Sequence, residues 1–278
     1  MKRLFSPLIL VLIIFSCSKP KQPEGLILKL QYQPQTKYKI TTIRGSETVV
    51  RYSGTEIAMQ KIKSMNIENP TISKVNTKTD TELITGETLN DKSYPVSLLY
   101  KKSNNLNGEN EIPEGTVVFG TIKSGHLPTF HTIASDALNF DQKTQLMENV
   151  RSNYDQFDFP AKRLKVGDQF SIDRKVSLPM EGSVIETVIT STYKLVGSKK
   201  GIAQFTISQS YKMNPKMMDN SFKGNGSGNG SLTYNIKDSL IIAYSIETSL
   251  EMHKKLDYFE FDLKTFNDIR QTTQIIKD

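Results

Sequence analysis

The sequence predicts a mainly β (α+β) protein, with antiparallel sheets forming a sandwich or half-open barrel and one main helix near residues 141–155. Three observations predict it. From Leu26 onward the dominant hydrophobic period is two. Short β-prone runs bounded by Gly, Pro and Asn recur along the whole chain. Only Asp141 to Tyr154 carries a convincing helical spacing, and one helix among so many strands implies antiparallel pairing.

The elements follow in chain order. Leu26, Leu28, Leu30 and Tyr32 alternate with Ile27, Lys29 and Gln31, which describes a half-buried strand. Tyr38, Ile40 and Thr42 resume the alternation after a turn centred on Pro34. Ile57 to Met65 fits a short helix or a strand equally well. Thr79 to Thr85, Val96 to Lys101 and Thr116 to Ile122 are β-prone, and Ser103 to Glu111 (SNNLNGENE) reads as an exposed loop. In the helix, Leu146, Met147, Val150 and Tyr154 share one face and Asp141 is the expected cap. Phe170 to Val176, Ser183 to Leu195 and Ile202 to Met213 are three strands separated by Gly-containing turns. Ser231 to Ile236 and Leu240 to Met252 form a hairpin around Lys237-Asp238-Ser239, and Tyr258 to Leu263 and Arg270 to Ile276 add two more strands. Leu30 to Ile43 and Leu164 to Val176 each place a turn before an aromatic-led strand, a faint sign of duplication.

The first residues carry an address. Met1-Lys2-Arg3 is a cationic head, Leu8 to Phe15 (LILVLIIF) is uninterrupted by polar residues, and Ser16-Cys17 follow. The apolar stretch is shorter than the ~20 residues of a membrane-spanning helix. Ile14-Phe15-Ser16-Cys17 resembles a bacterial lipobox, with Phe15 bulkier than the commonest residue at its place. That resemblance implies that residues 1–16 are a cleaved signal peptide, that Cys17 receives diacylglycerol, and that its freed amine is acylated, commonly with palmitate. Cysteine arithmetic agrees: Cys17 is the only cysteine in 278 residues, so no intramolecular disulfide forms. Residues 17–25, polar and with two prolines, read as the lipidated Cys and an extended tether. Residues 26–278 are the β-rich mature body, either one large domain or two lobes, 26–140 and 160–278, joined by a helix.

Charged residues at 23% and apolar residues at 37% suit a water-soluble globular body. Net charge falls from +7 by two, to +5, once Lys2 and Arg3 are removed. Lysines are scattered and no dense basic stripe with interleaved aromatics occurs, so nucleic acid is not an expected partner.

Phe159-Pro160-Ala161-Lys162-Arg163-Leu164-Lys165-Val166-Gly167-Asp168-Gln169-Phe170 resembles the P…V-x-V-G-D-x-W/F passage of a poorly characterised domain family of Bacteroidota lipoproteins. Gly120 to Gly125 stands where that family carries a G…G segment, and Leu164 replaces its first valine. The resemblance implies a β-rich lipoprotein body and brings no known catalytic residue. The tether lacks the acidic run resembling a surface-export signal in some such lipoproteins, which favours the periplasmic side. In Val166-Gly167-Asp168, the glycine suits positive φ and the aspartate suits a turn into the Phe170 strand.

No constellation compels a chemistry. His126, His131 and His253 follow no metal-ligand spacing. Gly224 to Ser231 (GNGSGNGS) has no Walker lysine and precedes strand-like residues, so it reads as a flexible loop or an edge segment giving close backbone approach, not a phosphate cradle. Ser227 sits in no nucleophile elbow. Asp155 with Asp158, and Glu109, Glu111 and Glu114, lie in polar stretches and read as solvated charges. No catalytic, cofactor-binding or metal residue is expected, and Cys17 is the only site residue.

The expectation is a membrane-anchored lipoprotein in a Gram-negative cell envelope, at the outer membrane facing the periplasm, acting as a non-enzymatic binding or envelope-interaction module. Its partners are the membrane, through lipid on Cys17, and an envelope protein or a hydrophobic ligand. The alternative is a periplasmic carrier of a lipid or other hydrophobic ligand; a third reading is a hydrolase using His131. A carrier requires a cavity, an interaction module a filled core, and an enzyme converging titratable groups.

Overall fold

A computed structural model describes residues 25–105, 111–180, 183–213, 222–256 and 258–276. The segment read as an export signal, Cys17 and nearly all of the expected tether lie outside the described residues. The elements run β1 (Leu26–Ile27), β2 (Lys37–Gly54), α1 (Glu56–Ser64), β3 (Thr71–Thr85), β4 (Ser93–Asn105), β5 (Val117–Lys123), β6 (Thr129–Ala134), α2 (Phe140–Asp155), β7 (Arg163–Leu164), β8 (Gln169–Met180), β9 (Ser183–Lys199), β10 (Ile202–Met213), β11 (Phe222–Asn235), β12 (Leu240–Lys255) and β13 (Phe259–Ile276).

Eleven of the strands form one antiparallel sheet in the order β6-β5-β4-β3-β2-β13-β12-β11-β10-β9-β8. Two meanders, β2 to β6 and β8 to β13, join where β2 pairs with β13, from Lys37↔Ile276 to Gly54↔Phe259. The segments 26–140 and 160–278 thus contribute to a single sheet. That sheet is open, with β6 and β8 as its edges.

It is also curled. Laid flat, ten strand spacings would separate the edges by ~48 Å. Tyr154 at the end of α2 lies 5.1 Å, ring to ring, from Phe130 on β6. Phe159, only five residues on, lies 5.8 Å from Phe170 on β8. Five residues span at most ~18 Å. The sheet therefore wraps its inner face around α2 and the segment after it, a half-open barrel.

Period-two alternation builds that inner face. Along β10, Ala203, Phe205, Ile207 and Gln209 are buried and the residues between them are exposed. Tyr38 and Ile40, Leu83, Val96 and Leu98, Val118 and Ile122, and Phe130 continue the buried row on the other meander. In α2, Leu146, Val150 and Tyr154 are buried, the face that helical spacing predicts, with Met147 packed at its margin. The cap is Asn139, not Asp141: Asn139 accepts from Gln142 N while Gln142 reaches back to Asn139 N, a reciprocal capping box.

Several expectations are corrected. Leu28, Leu30 and Tyr32 are buried as their alternation predicts, yet only Leu26–Ile27 is strand, because the segment crosses the inner face instead of joining the ladder. There Lys29 exchanges hydrogen bonds with the Tyr234 hydroxyl. Ile57 to Met65 resolves as helix α1, capped by Thr55. Ser103 to Asn105 belong to β4, with Ser103 fully buried, not to an exposed loop; residues 106–110 lie outside the description. The two expected C-terminal strands are one, β13.

Gly224 to Ser231 is not a loop but part of β11, paired with β12 throughout and with β10 from Gly226 on. Gly226 and Gly228 project to the inner face, where side chains of adjacent strands crowd the space that their own would take; Tyr211 Cγ lies 3.0 Å from where a Gly226 Cβ would stand, while at Gly230 it is the backbone of β12 that approaches closely, as the sequence reading allowed. The turn reading of Val166-Gly167-Asp168 holds. Gly167 has φ +99°, Asp168 Oδ2 accepts from Lys165 N at 2.9 Å, and Gly167 N donates to Leu195 O.

Candidate functional site

Residues of eight strands and α2 line two adjoining open cavities on the inner face. The first, about 500 Å³, lies between α2 and β2, β3 and β4. The second, about 450 Å³, lies beyond the C-terminal end of α2, over β8 to β13. Arg44, Thr77 and Glu111 line both, so the two form one groove.

The floor of this groove is apolar: Ile40, Leu98, Val150 and Phe157 in the first cavity, Tyr244 and Ile246 in the second, all buried. Its walls are polar. Helix α2 presents Gln142, Gln145, Asn149 and Asn153, spaced to share a face, opposite the hydroxyls of Thr42, Thr77 and Thr79 on the sheet. In the second cavity the register aligns Ser46, Asn267, Thr248, Gln209 and Ser191 across the strands as a polar belt. Asn267 donates to Thr248 Oγ1 at 3.3 Å, and Gln209 to Ser191 Oγ at 2.9 Å. The Gly228 gap in this row lets the side chains on either side meet the groove.

Among the described residues three charged side chains line the groove: Arg44, Arg174 and Glu111. Arg44 Nη2 donates to Asn153 Oδ1 at 3.0 Å, tying β2 to α2. Burial pushes the Tyr100 hydroxyl up to about 12, a rise partly offset by Arg44. Burial likewise raises Tyr193 to about 12 and lifts Tyr211 and Tyr244, and in each the positive charge of Arg174 opposes the rise. Arg174 is thus a half-buried cation among three tyrosines.

The residues weighed from sequence are scattered. Cys17 and Glu109 lie outside the described residues. His131 Nε2 is 3.1 Å from Thr121 Oγ1 on the exposed outer face. His253 Nδ1 is 2.9 Å from Asp262 Oδ1 in an exposed ladder that includes Lys264–Glu251 and Lys255–Glu260. His126 is exposed in the turn after β5. Among the described residues no three His, Cys, Asp or Glu gather as a metal site would require. Asp155 and Asp158 are exposed. Of the two described members of the acidic loop cluster, Glu111 and Glu114, Glu111 reaches the groove.

Arg44 and Arg174 escape a motif search, yet the alternation marks them. Tyr38, Ile40, Thr42, Arg44 and Phe170, Ile172, Arg174, Val176 each place an arginine at an inward position of an apolar-inward strand.

No family model and no curated protein matches the chain. Among solved structures it is similar to an outer membrane channel from Pseudomonas putida F1, with 7% identity over 92% of this chain and 100% of that one, at a TM-score of 0.22. That likeness is too slight to bear on what the chain does.

Proposed function

We propose that this chain is a lipid-anchored envelope protein whose inner-face groove binds an amphipathic ligand without transforming it. The observation that carries the reading is the groove itself: an apolar floor between polar walls, open to solvent, with cavities of about 500 and 450 Å³. Each lies in the ~300–1,000 Å³ range of small-molecule sites. A floor of Ile40, Leu98 and Ile246 removes apolar surface from water, while amides and hydroxyls above it hydrogen-bond a polar portion. This gives the binding module of the sequence reading the amphipathic form of the carrier alternative.

Growing the bacterium on a diazirine fatty acid, irradiating intact cells and mapping adducts of free lipid on the purified full chain tests the groove. Adducts are expected on peptides carrying groove residues. In Thr77→Trp, where the indole fills the junction of the cavities, that labelling is expected to fall by about tenfold, equivalent to ~1.4 kcal/mol of lost affinity. Labelling that avoids the groove, or is unchanged in Thr77→Trp, overturns the reading.

The address is a separate matter. Two or three acyl chains on Cys17 give lasting attachment, since each buried methylene contributes ~0.8 kcal/mol and one chain alone holds only marginally. Cys17→Ala should move the protein to the soluble fraction or leave it unprocessed. Radiolabelled palmitate incorporated into that variant would show the assignment to be wrong.

A further inference from the structure

Arg174 sits in the groove without a counter-charge. Its strand neighbour Asp173 faces the opposite side of the sheet and accepts from Thr190 at 2.7 Å. Among the described residues Arg174 makes no hydrogen bond or ion pair. Register places it across from Ile189, and Ile189 across from Tyr211, so apolar and aromatic groups surround it. A half-buried guanidinium carries a desolvation cost that native structures ordinarily offset with a partner. Arg44, at the junction of the cavities, gives one N–H to Asn153 and keeps further donors in its fork. Glu111 is the other charge in the groove; it is exposed and forms no ion pair with either arginine among the described residues. Among the described residues the three together leave the groove with one net positive charge.

We infer that the ligand is an acyl-chain anion, its chain on the apolar floor and its carboxylate or phosphate held by Arg174 and Arg44. This rests on the groove reading above and adds the charge of the ligand to it. The polar belt beside Arg174, with Asn267, Thr248 and Gln209, supplies further donors to the oxygens of such a head. A guanidinium is suited to that task, because its planar fork matches two oxygens at once.

The test uses the full chain in nanodiscs of neutral phosphatidylcholine, irradiated with diazirine palmitate or with its methyl ester at equal concentration. Wild type is expected to show about tenfold more labelling of groove peptides by the acid than by the ester, since one charge-assisted pair is worth at least ~1.4 kcal/mol. The Arg44→Gln/Arg174→Gln variant should lose that preference while ester labelling stays within about twofold. Equal labelling of wild type by acid and ester overturns the anion and leaves the groove reading standing. Groove peptides labelled by neither probe overturn both. Competition by unlabelled hexadecyl phosphate separates the two heads: displacement stronger than that by palmitate assigns a phosphate, weaker displacement a carboxylate. Either supports the anion, and hexadecanol displacing as well as both overturns it.

Discussion

Gly230→Val is expected to destabilise the protein by about 4 kcal/mol or more, enough to leave much of it unfolded at 37 °C. A Cβ at this position would stand 2.1 Å from Ser245 O and 3.0 Å from Ile246 Cα. Both are backbone atoms of β12, hydrogen-bonded to β11 in the middle of the sheet, so neither side chain rotation nor a local loop shift relieves the clash. Gly228→Ala is the internal comparison. Its nearest neighbour would be the Thr248 methyl at 2.8 Å, a side-chain atom that rotation moves, although Glu247 O at 3.1 Å leaves little slack. Urea denaturation should rank Gly230→Val well below Gly228→Ala. Equal midpoints would mean that β11 does not approach β12 as closely as described.

Tyr154→Ala carries the second large effect, about 3–5 kcal/mol, by analogy with other buried aromatic truncations. The ring packs against Phe130 at 5.1 Å and Tyr32 at 6.2 Å. Its removal withdraws the contact that holds the end of α2 on the β6 edge. Tyr154→Phe keeps the ring and removes only the hydroxyl, so it should cost much less, about 1 kcal/mol. Chemical denaturation of both variants measures the pair. If Tyr154→Ala is no worse than Tyr154→Phe, the ring is not the clamp between helix and sheet.

Local rules made much of this fold legible. Helical spacing of Leu146, Val150 and Tyr154 identified the buried face of α2, and the Gly167-Asp168 turn was readable from two residues. Alternation at Leu28, Leu30 and Tyr32 told which side chains are buried but not whether the backbone is paired, because an extended segment crossing a core has the same period as a strand. The glycines of β11 misled for a physical reason: their missing side chains are replaced by Tyr211, Gln209 and Thr248 from adjacent strands, which no single segment reveals. β13 looked like two strands because Asn267 and Asp268 interrupt its apolar pattern, yet Asn267 belongs to the polar belt of the groove. The groove itself was hidden, since its walls come from residues more than two hundred positions apart.

Pairing of β2 with β13 also governs how the molecule is made. Residues 37 and 276 are neighbours, so the central joint of the sheet has to wait until β13, more than two hundred residues after β2, has emerged. Contacts this distant along the chain form slowly, and two half-sheets, each with a raw border on what will become the middle, exist in the interim. A product stopped short of residue 259 would keep that border open for good, a template for aggregation and a ready target for proteases.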